Sequence, residues 1–327
     1  MPGLGKPARS LEPPPTERLT RILAEILGEP SHGPGALTIL ERRANAEANN
    51  HPTEIVACRL ADGTVRRLFC KHRPLYAGSL GQLDETPVMA EALQSLYLRE
   101  LLGESSLYRG VRSDRETASA CLVYEFVDRA ERLDQMPRAL KRAARWLGNF
   151  HARGEAVAAR GGGRPLRALD AAFFLEWARR VERFSHTWPV RVRWLDSVCD
   201  RFAEVAPLLC GAPATVIHGQ FYPAKILIRS RAVFPLDWEK AALAAGEIDL
   251  ACLTEGCNAG TLKTCVLAYE KARWPEGAPP GFERTLAAAR LHMAFRWLGE
   301  QPDAMAHPEG TARLRQLRAR AKDLALL

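Results

Sequence analysis

A chain of 327 residues with 47% hydrophobic and 26% charged residues is long enough for a large core and two lobes, and has the composition of a water-soluble globular protein. No run approaches the roughly eighteen apolar residues of a membrane span, and the opening "MPGLGKPARSLEPPP" lacks the apolar core of a secretory signal. A cytoplasmic protein with no membrane partner is expected. The net charge of +8 is carried by arginines concentrated in Arg138–Arg145, Arg179–Arg193 and Arg313–Arg320. These fall in amphipathic helical patterns without an interleaved aromatic platform, which argues for solvated helix faces and against a nucleic-acid partner.

Residues 1–15 are read as a flexible tail, because prolines and glycines resist regular structure. From Thr16, "TERLTRILAEILGE" places Leu19, Ile22, Leu23, Ile26 and Leu27 on one helical stripe, with Thr16 as the expected N-cap. "ALTILERR" reads as a strand, and "TEIVACRLADGTVRRLFCKH" as a hairpin turning at Asp62-Gly63. "TPVMAEALQSLYLRELLGE" predicts one helix of about five turns, and "ASACLVYEFV" a buried strand. From Gln135 the chain turns helical: "QMPRALKRAARWLGNFHARGE" puts Leu140, Ala144, Leu147 and His151 on one face. "RGGGRPLRAL" reads as a loop, "DAAFFLEWARRVERF" and "WLDSVCDRFAEVAPLL" as helices, and "TVIH", "KILIRS" and "AVFPLD" as short strands. Helices resume from Ile248 and include "RTLAAARLHMAFRWLGEQ". The expectation is an α+β protein with a small β-rich lobe over 16–127 and a larger α-helical lobe over 128–327. The eight cysteines form no C-x-x-C pair and are expected to be buried, reduced thiols.

Two groups of residues point to chemistry. Lys71 closes the second hairpin strand and Glu91 lies on the next helix, a placement that lets the carboxylate hold the ammonium. The second group is "HGQFYPAKILI…FPLDWEKAALAAGEIDLACL", His218 to Leu253. It resembles the aminoglycoside phosphotransferase and choline kinase family, whose pattern is an HGD loop, an Asn five residues after that Asp, a DWE strand end and then G-x-x-DLA. Here those positions read His218-Gly219-Gln220, Lys225, Asp237-Trp238-Glu239, and Gly246 followed by Asp249-Leu250-Ala251. "LGNFHARGEA", with His151, and "LVYEFV" extend the likeness, which covers most of residues 36–300 and is strongest from His218 to Asp249.

The resemblance implies a bilobal protein-kinase-like fold that binds ATP or GTP and transfers phosphate to a hydroxyl of a small molecule. It implies that Lys71 contacts nucleotide phosphates, that Glu91 holds Lys71, and that Tyr124, Glu125 and Val127 lie along the adenine pocket. It also assigns Asp237 to magnesium and Asp249 to bracing the loop. The family's catalytic Asp falls on Gln220 and its second metal ligand on Lys225. An amide can orient a hydroxyl but not take its proton, a loss of about 10²- to 10⁴-fold. A lysine has no acceptor for magnesium and repels it. The strand turn over the phosphates has no glycine and offers only Asn45, Asn49 and Asn50 for left-handed backbone. The expected protein is therefore a weak or inactive, pseudokinase-like relative with a binding or regulatory role. The alternative is an active small-molecule kinase with a rearranged one-metal site, in which Gln220 orients the acceptor, Lys225 and Lys71 neutralise phosphate charge, and Asp237 holds one magnesium. His218, His151, Tyr269, Trp274 and Trp297 are read as packing residues.

Overall fold

The computed structural model describes residues 12–327 apart from 34, 46–50, 78–82, 85, 115 and 161–165. Most of the expected tail, Asn49 and Asn50 of the phosphate turn, and half of "RGGGRPLRAL" thus lie outside the described residues. The chain divides into two compact units, 1–130 and 131–327.

The first unit contains α1 (Thr16–Leu27), β1 (Thr38–Ala44), β2 (Thr53–Arg59), β3 (Val65–Pro74), the short pair β4 (Tyr76–Ala77) and β5 (Leu83–Asp84), α2 (Thr86–Tyr97), α3 (Arg99–Leu102), β6 (Tyr108–Asp114) and β7 (Ser119–Glu125). Five strands form an antiparallel sheet in the order β1-β2-β3-β7-β6. Successive side chains of a strand face opposite ways. Leu68 and Cys70 of β3 with Cys121 and Val123 of β7 therefore join Leu19, Ile22 and Leu23 of α1 in one core. Ala120 and Leu122 of β7 meet Val88 and Ala92 of α2 on the other face. Each fully buried Leu or Ile of α1 contributes about 1.5–3 kcal/mol, which is what holds this short helix to the sheet.

Thr16 is not the N-cap of α1. The carbonyl of Pro15 accepts from Leu19 N at 2.9 Å and Pro15 is extended, so Thr16 is already helical. The hairpin turns as expected: Gly63 has φ 82° and Asp62 Oδ1 accepts from Thr64 N at 2.8 Å. The single helix expected over 86–104 divides at Leu98, which stays right-handed but whose ψ of −10° departs from the helical value of about −42°, leaving α2 and α3. Strand β6 was not foreseen. Its alternation is broken at Gly110, where the register with β7 shifts and where a Cβ would lie 2.7 Å from Ile26 Cγ2.

The second unit contains β8 (Glu131–Arg132), α4 (Leu140–Ala159), β9 (Arg167–Ala168), α5 (Ala171–Ser185), α6 (Arg193–Arg201), α7 (Ala206–Gly211), β10 (Ala214–Ile217), β11 (Ile226–Arg229), β12 (Ala232–Pro235), β13 (Ala242–Ala245), α8 (Glu247–Leu253), α9 (Ala259–Arg273), α10 (Phe282–Glu300) and α11 (Gly310–Asp323). Asp170 caps α5, accepting from Phe173 N at 2.8 Å. Helices α6 and α7 were expected as one. Pro207 has no N–H to continue the ladder, and the chain passes through a tight turn at Phe202–Glu204 before restarting. The four residues expected on one face of α4, Leu140, Ala144, Leu147 and His151, are all buried. Two small sheets, β10-β13-β9 and β12-β11-β8, bracket the loop from 218 to 225.

Six of the eight cysteines are buried free thiols, but Cys210, near the end of α7, is exposed, and Cys257, between α8 and α9, is half-buried at the edge of the core. Not every arginine is a solvated charge. Arg180 stacks on Trp177, Arg313 on Trp297 and Arg318 on Trp194, and Arg273 and Arg296 are buried. Among the described residues, no helix is long and apolar enough to cross a membrane.

Candidate functional site

In the first unit, alternation along β3 puts Lys71 and Arg73 on the face covered by α2. Glu91, 3% exposed, accepts from Lys71 Nζ at 2.8 Å, from Arg73 Nη1 at 3.1 Å and from the Tyr124 hydroxyl at 3.2 Å. The structure thus brings Lys71, Glu91 and Tyr124 together. Glu125 faces away from this group, and its carboxylate accepts from Arg109 Nε at 2.8 Å. Val127 is buried beyond the strand end. Arg73 was missed, although its spacing of two from Lys71 places it on the same face.

In the second unit, a loop joins β10 to β11. Its backbone is fixed by Asp249 of α8: Oδ2 accepts from His218 N at 2.6 Å and Oδ1 from Gly219 N at 2.8 Å. Gly219 has φ 78°, and a Cβ there would lie 2.4 Å from the Lys240 carbonyl, so only glycine fits. Its carbonyl accepts from the buried Arg296 Nη1 at 2.5 Å. The ring of His218 is held by the Leu236 carbonyl at 2.7 Å and packs on Trp238. A tight turn at Pro223–Lys225 then feeds β11.

Behind Asp249 lies a chain of buried polar groups. Arg273 Nη1 donates to the Tyr269 hydroxyl at 2.6 Å, which leaves the hydroxyl proton for His151 Nδ1 at 2.9 Å. His151 Nε2 then keeps its hydrogen and faces Asp249 Oδ2 at 3.3 Å. Burial pushes the pKa of His151 down to about 4, which keeps the ring neutral in this role. Arg273 is itself anchored by Glu155 Oε1 at 2.7 Å and the Pro213 carbonyl at 3.0 Å. The G-x-x-D spacing has its reason here: a Cβ on Gly246 would lie 2.5 Å from both Arg273 Nη1 and His151 Nδ1.

The three positions expected to carry the chemistry meet. Lys225 Nζ donates to Gln220 Oε1 and to Asp237 Oδ2, each at 2.6 Å. The Lys225 and Asp237 side chains are 29% and 30% exposed. Asp237 follows β12 with φ 66° and ψ 65°, a left-handed backbone that Asp, with its short polar side chain, tolerates better than most non-glycine residues.

These residues do not fit a magnesium ion. The cation asks for several oxygen ligands, whereas the site offers one carboxylate and one amide oxygen with an ammonium already between them. Among the described residues, no group of three or more His, Cys, Asp or Glu side chains could hold a metal. Neither Arg296 nor the Tyr269–Arg273 pair was foreseen as part of the loop's support. Nothing local in sequence marks them, since His151 and Tyr269 are 118 positions apart.

No family model and no curated protein matches the sequence. Solved structures do match. Choline kinase LicA from Streptococcus pneumoniae aligns over 95% of this chain and 99% of its own at 13% identity and a TM-score of 0.58. Macrolide 2'-phosphotransferase MphH from Brachybacterium faecium aligns over 93% and 97% at 18% identity and a TM-score of 0.57. Wild-type aminoglycoside 2'-phosphotransferase-IIIa, solved with GDP, aligns over 94% and 99% at 14% identity and a TM-score of 0.59. The chain has the protein-kinase-like fold of these phosphotransferases.

Proposed function

We propose that this protein is a phosphotransferase-fold nucleotide binder whose catalytic loop is closed by its own lysine, and that its role is binding or regulation with weak or no phosphate transfer. The observation that carries this reading is Lys225, seated at 2.6 Å from both Gln220 and Asp237. The position of the base holds an amide, and the carboxylate left for a metal is already neutralised. The similarity to a phosphotransferase solved with GDP supports a purine nucleotide as the ligand. The Lys71–Glu91 pair supports a phosphate contact from the first unit. In this reading Lys225 supplies the positive charge that a cation would bring, by turning from Asp237 to a phosphate oxygen.

A second reading, a slow small-molecule kinase, draws on the partial exposure of Lys225, which leaves its ammonium within reach of a ligand. It requires ATP turnover that drops when Asp237 becomes Asn.

Thermal shift with ATP and GTP, with and without magnesium, tests the first reading. The expected result is stabilisation that does not depend on magnesium, about 2.7 kcal/mol at a hundredfold excess over Kd, without release of the γ-phosphate. Combining Gln220→Asp with Lys225→Asn should make the stabilisation magnesium-dependent. A magnesium requirement in the unaltered chain, or no stabilisation by either nucleotide, overturns the proposal.

A further inference from the structure

Away from the loop, α4 and α9 pack closely because position 148 is glycine: a Cβ there would lie 2.5 Å from the Tyr269 carbonyl and 2.8 Å from Ala272 Cβ. Where two helices approach so closely, the longer side chains on either flank become the walls of a groove. Here it spans about 720 Å³, lined by Lys141 and Arg145 of α4 and by Leu267, Ala268, Lys271 and Ala272 of α9. The three cations are exposed, and none has a carboxylate partner among the described residues. This contrasts with the same unit's Arg183, Arg273 and Arg296, each of which holds a glutamate. Leu267 is 55% exposed, one of the few large apolar side chains left in solvent.

We infer that this groove is a docking surface for an acidic amphipathic helix of a protein partner. Lys141 and Arg145 stand four residues apart on one helix face, a separation of about 6 Å along the axis. Glutamates at the same spacing on a partner helix meet both charges in register. The partner's apolar edge then covers Leu267 and the alanine floor, as in helix-in-groove recognition. A phosphate backbone has the charge but no use for the apolar floor. A membrane surface is too flat to reach that floor. The groove lies within the second unit and is independent of the nucleotide reading.

The test is fluorescence anisotropy with a labelled synthetic helix bearing glutamate pairs four residues apart on one edge and leucines on the other. A scrambled peptide of the same composition, a DNA duplex and phosphatidylserine vesicles serve as competing probes. Binding of the patterned helix is expected to fall by about tenfold or more in Lys141→Glu/Arg145→Glu/Lys271→Glu, and to weaken as salt rises. It should also fall in Leu267→Asp, which leaves all three cations in place. All four side chains are exposed, and unchanged melting curves confirm that the variants fold. Equal binding of the scrambled peptide, indifference to Leu267→Asp, preference for the duplex or the vesicles, or no binding of the patterned helix each overturns the proposal.

Discussion

Gly246 shows how much of the loop's geometry rests on one missing methyl group. It lies against Arg273, Tyr269 and His151, three members of the buried polar chain that ends on Asp249. Gly246→Ala should destabilise the fold by about 1–3 kcal/mol, the size of an overpacking penalty, read as a lower midpoint in urea unfolding. The second unit's motif was legible because its residues serve the backbone: His218, Gly219, Gly246 and Asp249 occupy positions where local geometry leaves little choice. The side chains that hold Asp249 from behind were not, because Tyr269 and Arg273 reach it only through tertiary contacts. The sequence also placed Gln220, Lys225 and Asp237 on one loop system, but not which partner Lys225 takes. The structure answers that with two short hydrogen bonds.

At the scale of elements, periodicity found the long helices and the hairpin and missed the breaks. Helix α2 ends at a backbone irregularity at Leu98 that no residue type announces, whereas Pro207 in the first turn of α7 was a visible stop that the apolar stripe outweighed. Strand β6 hid behind Gly110, which suits the close approach of Ile26 and spoils the alternation. Gly148 makes the same kind of approach between α4 and α9, but against backbone that cannot rotate away. Gly148→Leu should therefore prise the two helices apart and lower the melting temperature by several degrees, since the α4–α9 contact lies at the centre of the second unit's core. The same substitution should reshape the groove beside them.

Across the whole molecule, buried histidines of the two units respond to pH with opposite sign. In the second, burial lowers the pKa of His151 to about 4 and of His292 to about 3, from an ordinary 6.5. The unfolded chain binds protons that these rings refuse, so stability falls as pH drops from about 6.5 towards 4. In the first, burial alone would lower His72, but hydrogen bonds to Cys121 and Glu54 hold it up at about 9. Its contribution is complete below pH 6.5 and is lost as pH rises through 9. Melting curves from pH 4 to 10 should show an acid arm and an alkaline arm. His292→Phe should soften the first, and His72→Gln the second.

The openness of the Lys225–Asp237 pair bears on how firmly the loop is shut. The two side chains are 29% and 30% exposed, and an ion pair as open to water as this contributes about 0–1 kcal/mol. In the proposed reading the closed loop is therefore a latch with little holding force, and an anion that draws Lys225 away needs only a weak pull to release it.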